Sequence, residues 1–126
     1  MNYLIDTHII IWHAENNPRL SREVVEILNN PINTIVVSYV SLWEIAIKQS
    51  IGKLSVEMTL SELEFSLQNN FFTLLDISVQ HLERLQKLPF HHNDPFDRLL
   101  IAQAQEEDLT LISEDRNFKY YQVNLL

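Results

Sequence analysis

Five apolar runs of strand length punctuate this chain, at Tyr3 to Ile5, Thr34 to Val37, Phe72 to Leu75, Leu109 to Ile112 and Val123 to Leu125, with segments of helical spacing between them. Strands that alternate with helices form a parallel sheet, because a parallel connection needs a crossover long enough to hold a helix. Such crossovers cover both faces of the sheet. The expected class is therefore α/β, three layers with a central parallel sheet flanked by helices. No repeat, low-complexity tract or Pro/Gly/Ser-rich linker divides the 126 residues, so a single domain over 1–126 is expected.

The helices carry physical start signals. Ser21 precedes Arg22 to Asn30, where Val24, Val25, Ile27 and Leu28 make one apolar stripe that Asn30 and Pro31 stop. Ser41 is expected to cap Leu42 to Ser50, with Gly52 just beyond. Thr59 and Glu62 have capping-box spacing, and Ser78 opens a helix through Leu85. Asp94 followed by Pro95 is the clearest start: a side-chain acceptor at the cap, then a ring already set to helical φ, leading into Phe96 to Glu107.

Composition removes several enzyme classes. One glycine, Gly52, cannot supply a dinucleotide fingerprint, a Walker loop or a G-x-S-x-G elbow. The lack of cysteine excludes disulfides, thiolate nucleophiles and Cys-ligated zinc, and is compatible with a reducing compartment. A formal charge of −8 argues against bulk electrostatic binding of nucleic acid, which runs on Lys and Arg displacing counterions, so any such role needs a local basic patch. No leader-like segment and no apolar span of membrane length is present, and the expected location is the cytoplasm.

The chemistry lies in the acids. In a parallel α/β sheet, ligands gather beyond the carboxyl ends of the strands. Asp6 ends the first strand, and Ser113 and Asp115 follow the strand ending at Ile112. Glu44 and Asp97 are expected in the first turn or so of helices entered from the same edge. Each residue has an ordinary role open to it. Asp6 can cap the helix starting near Thr7, Glu44 can pair with Lys48 on a solvent-facing stripe, Asp97 suits a helix dipole, and Asp115 suits a turn. Four carboxylates at one edge would nevertheless repel one another unless a cation sat among them. Hard divalent ions such as Mg²⁺ or Mn²⁺ want such oxygen ligands.

Tyr-Leu-Ile-Asp6-Thr7, Val-Ser-Leu-Trp-Glu44-Ile-Ala-Ile-Lys48, Gly52-Lys53-Leu54, Asp94-Pro-Phe-Asp97-Arg98-Leu-Leu-Ile-Ala-Gln-Ala and Ser113-Glu-Asp115 with Phe118 together resemble a PIN domain, and more narrowly the VapC-type toxins of bacterial toxin–antitoxin pairs. The resemblance runs from end to end, and the block around Asp97 is its most specific part. It implies a PIN fold, metal-dependent endoribonuclease activity, a homodimer and a cognate antitoxin protein. Asp6, Glu44 and Asp97 match the three central acidic ligands and Asp115 the fourth. Ser113 stands where that family usually has threonine, keeping a hydroxyl beside the acids; Thr7 is a further supporting residue, and Asp94 either approaches the metal or only caps its helix.

The reaction implied is hydrolysis of an RNA phosphodiester by metal-activated water, with no side-chain nucleophile. Arg98, Lys48, Lys53 and Arg116 lie near the acids in sequence and are candidates for a phosphate-binding patch, with His91 and His92 on the rim. The five histidines have no compact zinc-ligand spacing. Two other readings compete. One is a receiver-like signalling module phosphorylated on Asp76 beside Asp6, and the other a PIN-like scaffold that binds without cleaving.

Overall fold

The structure, a computed structural model, describes residues 1–54 and 57–126. Along the described chain run β1 (Asn2–Ile5), α1 (Thr7–Glu15), α2 (Arg22–Asn29), β2 (Thr34–Ser38), α3 (Tyr39–Ser50), α4 (Leu60–Asn69), β3 (Thr73–Leu75), α5 (Val79–Lys87), α6 (Pro95–Glu106) and β4 (Thr110–Ile112), then a 3₁₀ helix over Arg116–Tyr120. The strands lie in the order β3-β2-β1-β4 and every pairing is parallel. Among the described residues no helix is long and apolar enough to cross a membrane.

Strand alternation divides the core in two. Tyr3, Ile5, Ile35, Val37 and Ile112 point into one cluster with Ile9 and Ile10 of α1, Val24 and Leu28 of α2, and Leu63 and Leu67 of α4. Leu4, Val36 and Leu111 point into the other, packed by Leu99 to Ala102 of α6 and by Phe118. Both faces being covered, the strands read as continuous apolar runs rather than as apolar–polar alternation. The central sheet with a helical layer on each side is the three-layer α/β arrangement expected.

Two elements differ from the sequence reading. Val123 to Leu125 forms no strand of its own, only an isolated parallel bridge from Leu111 to Leu125, supported by Leu111 N–H donating to Asn124 O and Leu126 N–H to Leu111 O. The cap of α3 is Ser38, not Ser41. The Ser38 hydroxyl accepts from Val40 N–H at 3.0 Å, so strand passes into helix with no loop between them. This early start moves Glu44 from the first turn to the second and leaves the Ser41 side chain buried inside the helix. At the other end Gly52, at φ 71°, lets its own N–H reach Gln49 O and that of Lys53 reach Lys48 O, closing α3 in a Schellman motif.

The strand order positions the site. From β1 the chain steps outward through β2 to β3, then returns across the sheet by α5 and α6 to β4 on the opposite side of β1. Connections therefore diverge from the carboxyl end of β1, the point at which an open α/β sheet receives its ligands.

Candidate active site

Asp6 is the first residue past β1, and its N–H prolongs the β1–β4 ladder by donating to Ile112 O at 3.1 Å. Its side chain, 2% exposed, caps α1 by accepting from Ile9 N–H at 3.0 Å and takes a short hydrogen bond from the Ser113 hydroxyl. The same Ser113 oxygen accepts the Asp115 N–H at 3.0 Å, so one hydroxyl fixes both acids at the ends of neighbouring strands. Asp115 opens the 3₁₀ helix, accepting from Asn117 N–H at 2.8 Å. Asp94 Oδ1 accepts from the N–H groups of Phe96 (2.8 Å) and Asp97 (3.1 Å), starting α6 so that Asp97 stands in its first turn. Between Asp97 and Asp115 lies His92, whose Nε2 is 3.0 Å from an oxygen of each. Glu44, 3% exposed, accepts from the Thr7 hydroxyl at 2.7 Å and pairs with Lys48 Nζ at 2.5 Å.

These carboxylates act on one another. Burial pushes the Asp97 carboxyl up to about 7, the charges of Asp94, Glu44 and Asp115 add to this, and His92 opposes it. Asp6 is raised as well, by burial first, with the Ser113 and Ile9 hydrogen bonds working against it and Glu44 with it. For Asp115, burial is outweighed by the Asn117 amide and by His92, and the carboxyl lies below its ordinary range. The hydrogen bond to Glu44 holds Lys48 above its usual value against the effect of burial, helped by the charges of Glu44, Asp94 and Asp97. His92 is raised: burial lowers it, but the Asp115 hydrogen bond and the charges of Asp97, Asp115 and Asp94 prevail. The site is thus a concentration of negative charge that a cation would relieve.

The family model of the PIN domain matches residues 3–124. The chain belongs to the PIN domain family. Among solved structures it is similar to VapBC2 from Rickettsia felis bound to a DNA fragment from their promoter, with a TM-score of 0.74 and 22% identity over 100% of this chain and 98% of that one. It is similar also to VapBC-1 from nontypeable Haemophilus influenzae (TM-score 0.70, 22% identity, 100% and 97% covered) and to FitAcB from Neisseria gonorrhoeae (TM-score 0.67, 17% identity, 100% and 96% covered). Comparison with curated proteins gives no match.

In this PIN domain Asp6, Glu44, Asp97 and Asp115 are linked by mutual electrostatics and shared partners, and Thr7, Ser113 and Asp94 each bond to one of them or to its backbone. Glu44 does pair with Lys48, with the carboxylate buried and the Lys48 side chain 37% exposed. Arg98 is a correction to the phosphate-patch reading. It is buried, donates from Nη2 to the Leu88 and Leu85 carbonyls at 3.2 and 3.4 Å, and stacks 4.0 Å over Phe90, so its guanidinium ties α6 to the end of α5. Lys48 is engaged by Glu44, while Arg116 is exposed at the start of the 3₁₀ helix beside Asp115. Asp76 follows β3, which β2 separates from β1, so it does not stand beside Asp6 as the receiver reading requires. The role that sequence reasoning missed is that of His92, placed on the rim but found between two acids. Its 23-residue separation from Asp115 leaves no local signal.

Proposed function

We propose that this PIN domain is a metal-dependent endoribonuclease that hydrolyses RNA phosphodiester bonds, and that it is the toxin of a toxin–antitoxin pair. The observation that carries the reading is the gathering of acids at the topological switch point, where the Ser113 hydroxyl bonds both Asp6 and the Asp115 N–H and His92 Nε2 lies 3.0 Å from an oxygen of both Asp97 and Asp115. Carboxylates gathered in a buried place, where each opposes ionisation of the next, are a donor set that fits a hard divalent ion.

Asp6, Glu44, Asp97 and Asp115 would hold Mg²⁺ or Mn²⁺. Such an ion, when bound, supplies an acidified water and neutralises charge on the phosphoryl oxygens. The chain's own residues do the orienting. The Ser113 hydroxyl aims Asp6, the Thr7 hydroxyl aims Glu44, and Lys48 balances part of the Glu44 charge. Arg116, exposed at the rim, is positioned to meet a backbone phosphate. Trp43, 52% exposed and in edge contact with Phe96 at 4.8 Å, offers a ring on which a base can stack. Neighbours of this fold are VapBC and FitAB complexes, which supports an antitoxin partner here too, with a homodimer and a cytoplasmic setting as the accompanying proposals.

Purified protein with Mg²⁺ or Mn²⁺ should cleave RNA, and Asp6→Asn and Asp97→Asn should each lower the rate by at least about a hundredfold, the scale of losing a preorganised electrostatic group. Circular dichroism should show both variants folded. Undiminished cleavage by both would remove the assigned site. Expression of the chain alone should arrest growth, relieved by a co-expressed neighbouring gene, and normal growth would remove the toxin setting.

A further inference from the structure

Asp115 is the most exposed of the four acids. It stands on a 3₁₀ helix rather than at the root of an α-helix, its side chain is 27% exposed, and one of its oxygens is spent on the Asn117 amide. The other oxygen meets His92 Nε2 at 3.0 Å, and the same nitrogen lies 3.0 Å from Asp97 Oδ2. The imidazole is itself held from behind. Its Nδ1 accepts the Asp94 N–H at 3.2 Å, and its side chain is 14% exposed against Phe118, with ring centroids 6.2 Å apart. Because the Asp94 amide points its hydrogen at Nδ1, the imidazole proton belongs on Nε2, where it donates to the acids.

Resting on the reading of the four acids as a metal site, we infer that His92 is a positioning residue: its Nε2–H, fixed by the Asp94 amide, holds Asp115 beside Asp97. Two alternatives predict different behaviour. As a nitrogen ligand, His92 would need a bare Nε2 and a proton on Nδ1, which the Asp94 amide opposes. As a stand-in for the cation, it would compete with the metal. A group that hydrogen-bonds a ligand carboxylate typically changes metal affinity by about ten- to a hundredfold when removed. Asp94 thereby does two things at once, starting α6 through its side chain and setting the His92 tautomer through its backbone.

The test uses the full chain with His92→Ala and His92→Gln, the glutamine amide offering an N–H in place of Nε2–H. Mn²⁺ binding is measured by calorimetry, and the imidazole nitrogens by long-range ¹⁵N–¹H spectra of the protein in EDTA. His92→Ala should weaken Mn²⁺ binding by roughly tenfold or more, and His92→Gln should restore it to within a few-fold. In the metal-free spectrum His92 should carry its proton on Nε2, with signals that move in Asp115→Asn. A proton on Nδ1 with bare Nε2 would overturn the inference. So would unchanged or tighter Mn²⁺ binding by His92→Ala, or a glutamine variant as weak as alanine. If the unaltered chain binds no Mn²⁺, the metal reading falls, while the imidazole spectrum still decides whether His92 holds Asp115.

Discussion

Asp97 is a carboxylate whose ionisation the folded chain resists, and that resistance has a measurable sign. Its carboxyl is raised to about 7 from an ordinary 3.8, by burial first and then by Asp94 and Glu44. Between those two values the folded state binds a proton that the unfolded state has released, so metal-free stability falls as pH rises from about 4 to about 7. Asn is neutral and nearly isosteric, and Asp97→Asn should remove this dependence. In EDTA the variant should melt close to the parent only below about pH 4, above it at pH 5 and by a wider margin at pH 8, as expected for a site that gives up stability for function. Taking the difference between the two proteins cancels His13, whose own lowered value, caused by burial, contributes in the opposite direction. Equal melting temperatures at pH 8 would mean that Asp97 ionises without penalty.

At the level of elements, caps connect the fold to the site, and two of them make a controlled pair. Asp94 caps α6 and Thr59 caps α4, the latter in a full capping box with Glu62. Asp94→Ala and Thr59→Ala should each cost about 1 kcal/mol of stability in denaturant unfolding. Only the first should also weaken Mn²⁺ binding, because only Asp94 sets the N-terminal turn carrying Asp97; equal effects on Mn²⁺ would detach the cap from the site. Both caps were legible in the sequence, as were those at Ser21 and Ser78 and the end of α3 at Gly52, because capping is decided within three or four residues. The start of α3 was not. Ser38 and Ser41 are both competent caps, and the choice is made by where β2 stops pairing with β3, at Ser38 opposite Leu75. Arg98 failed for a related reason: one residue along a helix turns about 100° around its axis, so a neighbour of Asp97 in sequence faces α5 instead. The four acids themselves were legible because parallel strands must all end at one edge, whereas the pairing of His92 with Asp115 depends on a loop whose path no periodicity encodes.

On the scale of the molecule, the proposed ligands come from four separate places, namely the end of β1, the second turn of α3, the first turn of α6 and the end of β4. Only the folded sheet brings them together, so an ion bound by all four binds the native state and not the unfolded chain. That linkage predicts a size. At a hundredfold excess of free ion over its Kd the native state gains about 2.7 kcal/mol, which for 126 residues raises Tm by roughly 10 °C. A chain with a formal charge of −8 is also stabilised by any salt that screens its self-repulsion, so the comparison must be made against NaCl at matched ionic strength. Differential scanning calorimetry should then show a rise with Mg²⁺ or Mn²⁺ that EDTA reverses and that Asp6→Asn and Asp97→Asn each reduce sharply. Glu26→Gln, which removes an exposed acid paired with Arg22 on α2, should leave the rise intact. A rise of the same size in NaCl would show screening alone and would remove the ion from the account of this site.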